Sequence, residues 1–305
     1  MDPKERTTGA FGAVWRSFVA ALVMGLALAV ASWASALYGV TAGPDQPVLV
    51  RLGIGGAVTV VVVAVVVLLC RVRDRAPLSS IGLNGTRADL RGFLLGAGIV
   101  TAAGVVMIGV VTVFGLARWS GLDPSSLVLF LVTNAIVALL LEAVPEEVSI
   151  RGYALTALRR HFARSTATVL NVATFLVVPV IALGVHVLLD RSLGDTSSAF
   201  SLAPGGQDPA MYYLMLAAFG LLLVHARDST VSATVWTCIG AHVAWLTVNR
   251  IALGQASGVD VELGEAGSLV FFAAYVSAVV IAFSTLASRT ATATAAPAET
   301  ERVAP

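Results

Sequence analysis

Long apolar stretches dominate this sequence and constrain its fold more than any other feature. A helix crosses a bilayer with about 20 mostly apolar residues, because unpaired backbone groups are too costly in hydrocarbon. We predict eight such helices, with approximate bounds 14–40, 48–70, 92–117, 126–158, 166–189, 210–226, 229–250 and 267–288. The sequence therefore predicts an all-α fold, a polytopic membrane helix bundle of about eight transmembrane helices within residues 1–289.

Composition narrows the class of protein further. Hydrophobic residues make up 57% of the chain and charged residues 12%, about half the charged fraction of an ordinary soluble domain. A soluble enzyme is therefore disfavoured. The formal net charge of +1 gives no reason to expect nucleic acid as a partner. Cys70 and Cys238 lie far apart in apolar runs, which argues against a disulfide framework and against a cysteine metal site.

The distribution of basic residues predicts an orientation. If the N-terminus is inside, all but four of the 19 Lys and Arg residues fall in inner segments; the exceptions are Arg51, Arg118, Arg191 and Arg250. The positive-inside rule then favours an even number of spans with both ends cytoplasmic, in the plasma membrane. Residues 290–305 are rich in Ala, Thr and Pro, which predicts a disordered cytoplasmic tail. Gly92 and Gly96 form a small-xxx-small pair that predicts close helix packing.

The most informative residues are the charged ones in the fourth stretch. Each ionisable group near the centre of a span costs at least about 2.5 kcal/mol, yet Glu142, Glu146, Glu147 and Arg151 follow one another there. Glu147 and Arg151 are four residues apart, in the order that favours an ion pair. Glu146 lies on another helix face and would remain available as a general base acting on water. The alternative interpretation is a helix end whose charges are solvated at the cytoplasmic interface.

Two short motifs resemble a known family. The run Glu146-Glu147-x-x-x-Arg151-Gly152-Tyr153 is similar to the first signature of the CPBP intramembrane glutamic endopeptidases, the CAAX-protease and bacteriocin-processing (Abi) group. Gly240-Ala241-His242 is similar to the last motif of that family. The resemblance covers about residues 90–250. It implies that Glu146 activates water inside the bilayer, supported by Glu147 and Arg151, and that His242 stabilises the oxyanion.

Two positions depart from the family pattern. The second motif, Phe-x-x-x-His, has its phenylalanine at Phe175 but Pro179 where the histidine belongs, and the nearest histidine is His186. In the third motif Leu246 replaces the expected asparagine, and Asn249 follows one turn later. Counting along the helices places His242 level with Glu146, whereas His186 and Asn249 lie roughly 10 Å further outward.

These outward residues suggest a displaced site. Glu142 lies one turn outward of Glu146, so Glu142, His186 and Asn249 form a hypothetical second cluster. The alternative is that His186 and Asn249 are interfacial polar residues beside Asp190 and Arg250.

Three functions remain open at this point. The first is an intramembrane endopeptidase that cleaves a membrane-embedded or membrane-associated peptide or protein. The second is a catalytically degenerate member of the same fold that binds or scaffolds a partner, and the third is a transporter. The two-glutamate signature resembles water activation without a cofactor; the alternative is Zn²⁺ bound by Glu and His side chains from different helices.

Overall fold

The computed structural model describes residues 3–37, 47–192, 194, 199–230, 233–253 and 257–295. Eight long helices lie within these residues, and they confirm the predicted all-α membrane bundle. They are α1 (Pro3–Leu37), α2 (Val48–Leu68), α3 (Arg87–Val113), α4 (Pro124–Arg159), α5 (Arg164–Ser192), α6 (Pro209–Asp228), α7 (Trp236–Ala252) and α8 (Glu265–Ala295). Since α8 extends to Ala295, the part of the predicted tail from residue 296 onward lies outside the described residues.

Seven of these helices are long and apolar enough to cross a membrane. The exception is α7, which begins at Trp236 rather than near residue 229 and has 17 residues. At 1.5 Å per residue it spans about 26 Å, slightly less than the hydrocarbon core of a typical bilayer. The protein is therefore a multi-pass membrane protein with one short, largely buried helix among its eight.

The chain forms two compact units, and each is described here by itself. The first unit consists of Met1–Ile81 and Val132–Leu221, and the second of Gly82–Leu131 and Leu222–Pro305. The first unit therefore contains α1, α2, α5 and most of α4 and of α6. The second contains α3, α7 and α8, together with strands β1 (Ala117–Leu122) and β2 (Val259–Leu263), which pair antiparallel.

In the first unit, small residues let the helices approach closely. A Cβ at Gly25 of α1 would lie 2.7 Å from the Cβ of Ile181 on α5. A Cβ at Gly55 of α2 would lie 3.2 Å from Leu140 on α4. An ion pair between Arg16 and Asp74, 2.8 Å apart, joins α1 to the segment after α2. Because lipid tails provide no hydrophobic drive between helices, such close contacts and polar links determine how the helices associate.

Two π-helical segments interrupt α4, at Leu139–Ala143 and at Glu147–Ala154. The first segment ends two residues before Pro145, which has no backbone N–H. In the i→i+5 register of a π-helix, the Leu140 carbonyl would require its donor at Pro145. The Thr59 hydroxyl on α2 donates to that carbonyl instead. The helix thus passes through Pro145 without leaving the Leu140 carbonyl unpaired.

This replacement donor can be tested with Thr59→Val, which keeps the side-chain shape and removes the hydroxyl. We expect the free energy of unfolding to fall by about 1–3 kcal/mol, because the Leu140 carbonyl would be left without a partner. The control is Thr168→Val, since the exposed Thr168 hydroxyl bonds only the Arg164 carbonyl in its own helix. Unfolding of both variants with denaturing detergent measures the difference. Equal stability of both variants would contradict the assigned role of Thr59.

In the second unit, α3 and α7 pack almost backbone to backbone. A Cβ at Gly96 would overlap the Thr237 carbonyl oxygen, and one at Gly240 would overlap the Phe93 carbonyl oxygen. A Cβ at Gly92 would lie 2.8 Å from the Thr237 hydroxyl. The close packing predicted from Gly92 and Gly96 is therefore present, and α7 supplies a glycine of its own to the same crossing.

A polar cluster fixes the start of α7 to the start of α3. The Thr234 hydroxyl, just before α7, donates to the Asp89 carboxylate and lies 3.2 Å from the Gly82 carbonyl oxygen. The same carboxylate accepts hydrogen bonds from the backbone N–H groups of Asn84 and Gly85, at 3.1 and 2.6 Å. Because these links are buried, they define the depth and rotation of the helix that carries His242.

Candidate active site

The signature residues on α4 are buried rather than solvated. Glu146 is 8% exposed, whereas Glu147 and Arg151 are each 0% exposed. Glu146 directly precedes the second π-helical segment, Glu147 and Arg151 lie within it, and all eight residues of that segment are buried. The alternative interpretation, a helix end with its charges in water, is therefore wrong. Such burial of carboxylates within a membrane-spanning helix marks a functional site by default.

The predicted ion pair between Glu147 and Arg151 is present. Arg151 Nη1 lies 3.3 Å from Glu147 Oε1. The guanidinium carbon of Arg151 also lies 4.1 Å from the centre of the Phe175 ring, over its face. A cation is attracted to this face of an aromatic ring, most strongly where water is excluded. The phenylalanine of the second motif thus stabilises the arginine of the first.

The Phe175 ring is itself held in place by α6. Its centre lies 6.1 Å from that of Phe219. A Cβ at Gly220 would lie 3.2 Å from the Phe175 ring and 3.5 Å from Arg151 Nη2. The absence of a side chain at Gly220 therefore makes room for the stacked guanidinium and ring.

Asn171 is a site residue that the sequence analysis missed. Its side-chain N–H donates to the Ile150 carbonyl over 2.8 Å, and the residue is fully buried. It lies on α5 one turn before Phe175, so both contact the π-helical segment of α4. The feature of the sequence that could have indicated Asn171 is an asparagine one turn before the motif residue Phe175. Because its partner is a backbone carbonyl on another helix, no side-chain pattern in the sequence revealed the contact.

His242 lies in the second unit, on α7, and is 1% exposed. Its helix is held on one side by α3. On another side the Trp245 ring stacks on Tyr275 of α8, with centres 5.0 Å apart and planes 8° apart. Leu246, where the family pattern has an asparagine, is half-buried. The imidazole of His242 is therefore buried on a helix that packs closely against both α3 and α8.

The residues of the hypothetical displaced cluster lie in less buried positions. His186 Nε2 lies 3.4 Å from Asp190 Oδ2, with the histidine side chain 27% exposed. This is the contact expected if His186 is an interfacial residue. Glu142 is half-buried on α4, and Asn249 is half-buried on α7. A joint action of Glu142, His186 and Asn249 stays a hypothesis.

The comparison with protein families agrees with the motifs. Residues 124–248 match the family model described as type II CAAX prenyl endopeptidase Rce1-like, which is part of the CPBP family. The match includes both the Glu146–Tyr153 signature and His242, and it confirms the resemblance inferred from them. The protein is thus a multi-pass membrane protein in which residues 124–248 are similar to this protease family. No curated protein and no solved structure was found to match the chain.

Proposed function

We propose that this protein is an intramembrane endopeptidase that hydrolyses a peptide bond with water activated by Glu146. The observation that carries the proposal is the burial of Glu146 beside a Glu147–Arg151 ion pair in a membrane-spanning helix. Arg151 balances the charge of the neighbouring carboxylate, and Glu146 is the slightly more accessible of the two. A carboxylate in such a setting is suited to general-base catalysis.

The reaction requires the transfer of a proton and the stabilisation of an oxyanion. Glu146 accepts a proton from water as the water oxygen attacks the scissile carbonyl, and it returns that proton to the leaving amine. His242 stabilises the oxyanion of the tetrahedral intermediate, as its match to the last family motif suggests. Glu147 and Arg151 do not react; they hold in place the π-helical segment that directly follows Glu146.

The substrate class follows from the membrane setting and the family. The proposed substrate is a membrane-embedded or membrane-associated peptide or protein. The proposed location is the plasma membrane with both chain ends in the cytoplasm, because the basic residues favour that orientation.

A degenerate member of the fold is the second candidate function. The observations that favour it are Pro179 and Leu246, which replace the histidine and asparagine of the family pattern. Such a protein would bind or scaffold a membrane partner without cleaving it. The buried charges argue against this candidate. Each of them raises the free energy of membrane insertion, and an inactive bundle gains nothing from keeping them.

The deciding experiment uses the full chain purified in detergent and a fluorogenic peptide with one transmembrane segment. We expect the wild-type protein to cleave it and Glu146→Gln to lose at least about 100-fold in kcat, since the general base is removed. Glu262→Gln is the matched control, because Glu262 is an exposed glutamate on β2. Equal cleavage by wild type and Glu146→Gln would dismiss the assignment of Glu146. No cleavage of any peptide in a transmembrane substrate library would favour the scaffold.

Three additional experiments separate the remaining alternatives. Loss of activity on chelation, with recovery on adding Zn²⁺, would indicate the metal-dependent form of the site. An inactive Glu142→Gln together with an active Glu146→Gln would move the chemistry to the displaced cluster of Glu142, His186 and Asn249. Proteoliposome flux that depends on Glu146 would instead indicate a transporter.

A further inference from the structure

We propose that Thr59 and Asn171 are positioning residues of the proposed reaction: each fixes one side of the helix turn that carries Glu146, and together they determine where its carboxylate points. The inference rests on the proposed function, because it assigns a role in the same reaction. Neither residue belongs to the family motifs described above. All residues that the argument uses lie in the first unit.

Glu146 lies between the two π-helical segments of α4. The first segment ends at Ala143, three residues before Glu146, and the second begins at Glu147. The i→i+5 hydrogen bonds of a π-helix close a wider turn than the i→i+4 bonds of an α-helix, so a change of register in either segment rotates the residues between them. The direction of the Glu146 side chain therefore depends on the register on both sides.

Each π-helical segment receives a hydrogen bond from a neighbouring helix. The Thr59 hydroxyl on α2 donates to the Leu140 carbonyl in the first segment. Asn171 Nδ2 on α5 donates to the Ile150 carbonyl in the second segment over 2.8 Å. These carbonyls belong to residues six before and four after Glu146. The turn that carries Glu146 is therefore tied to two different helices.

The length of the second segment calls for a contact from outside α4. Most π-helices are single turns, whereas this segment has eight residues. The Ile150 carbonyl accepts from the Leu155 N–H within α4 and from Asn171 on α5. The second bond forms only while that carbonyl faces α5, so it stabilises the register in which the carbonyl does so. Asn171 is fully buried, and a polar group in such a position within a membrane-spanning helix is costly unless it serves a purpose.

The reaction depends on this register through the position of the base. A general base must lie within hydrogen-bond reach of the water whose proton it accepts. A misplacement of about 1 Å lowers a rate by as much as about 100-fold. At the second motif of α5, Pro179 replaces the histidine of the family pattern. This part of α5 therefore contributes an amide that holds the base in position, where the family pattern has an imidazole that assists it.

The experiment measures kcat and KM of Asn171→Leu and Thr59→Val on the transmembrane peptide that the wild-type protein cleaves. Both variants remove the donor with little change in size. We expect each to lower kcat by about 10- to 100-fold with KM within about threefold, because the carboxylate is displaced while substrate binding is kept. Thr174→Val is the matched control, because the Thr174 hydroxyl donates to the Leu170 carbonyl of its own helix, over 2.7 Å. It should keep the kcat of wild type.

The separation of kcat from KM distinguishes positioning from a general loss of structure. Thermal unfolding of every variant in the same detergent gives the folded fraction, and kcat is expressed per folded molecule. A variant that is merely less stable then keeps the kcat of wild type. If Asn171→Leu does not fold, Thr59→Val decides alone. A loss of kcat with KM unchanged would support the inference, and an unchanged kcat would refute it.

The outcomes separate this inference from the proposed function. If wild type cleaves, Glu146→Gln does not, and both positioning variants keep the kcat of wild type, then the positioning role is refuted while the endopeptidase stands. A raised KM with unchanged kcat would also refute it, because the two residues would then act on substrate binding. So would an equal loss of kcat in Thr174→Val, since the contact between helices would then be irrelevant. If wild-type protein cleaves nothing, the proposed function fails and this inference fails with it.

Discussion

Replacing Gly96 with alanine is expected to destabilise the protein by about 3 kcal/mol, although it adds only one methyl group. The new Cβ would overlap the carbonyl oxygen of Thr237 and lie 3.0 Å from the backbone nitrogen of Ala241. Both atoms belong to the backbone of α7, so no rotamer change relieves the overlap. The helices must separate, and their remaining contacts weaken with distance.

The sequence offers a matched control two residues away. A Cβ at Gly98, on the same helix, would meet no atom within 4 Å. Gly98→Ala should therefore raise stability by up to about 1 kcal/mol, because alanine favours helix more than glycine does. Denaturing-detergent titration of both variants measures the contrast. If Gly96→Ala is as stable as Gly98→Ala, the close crossing of α3 and α7 does not exist.

Gly240→Ala tests the same crossing from the other helix. Its Cβ would overlap the Phe93 carbonyl oxygen. Because Gly96 and Gly240 form one contact, their effects on the free energy of unfolding should not add. The double variant should lose less stability than the two single variants lose in sum. Full additivity would indicate two independent contacts.

The helices could be predicted from the sequence because each depends on its own residues. Length and hydropathy gave all eight, and Gly92 and Gly96 indicated that α3 packs closely against another helix, without showing that this helix is α7. The start of α7 was placed too early, since the residues just before Trp236 are uncharged but tie back to Gly82 and Asp89 through Thr234. Strands β1 and β2 were missed as well, because their pairing joins segments more than 100 residues apart, although β2 itself alternates in polarity.

The candidate site was predictable only in part, for a similar reason. The spacing of Glu147 and Arg151 within one helix gave their ion pair. Thr59 and Asn171 donate to backbone carbonyls of another helix. Every residue has such a carbonyl, so the sequence does not show which of them accepts a hydrogen bond. The π-helical register that positions these carbonyls depends on those same donors. A prediction from a single helix could therefore not find it.

The second large effect concerns Arg151. Arg151→Met should lower the free energy of unfolding by about 3–5 kcal/mol, because Glu147 would be left as a buried charge without its cationic partner. The side chain of Arg151 is 0% exposed, so water cannot replace the lost partner. The control is Arg71→Met, because Arg71 is an exposed arginine three residues beyond the end of α2. This variant should change stability by no more than about 0.5 kcal/mol.

The double variant Glu147→Gln with Arg151→Met distinguishes a buried ion pair from simple packing. Removing both charges removes the penalty for the stranded carboxylate, so the double variant should regain at least half of the stability lost in Arg151→Met. If Arg151 acts only by filling space over Phe175, the second substitution regains nothing. If the two side chains form a buried ion pair, the double variant should recover stability without recovering cleavage. The double variant keeps Glu146 but has no fixed charge beside it, so we expect a folded protein whose kcat stays well below that of wild type.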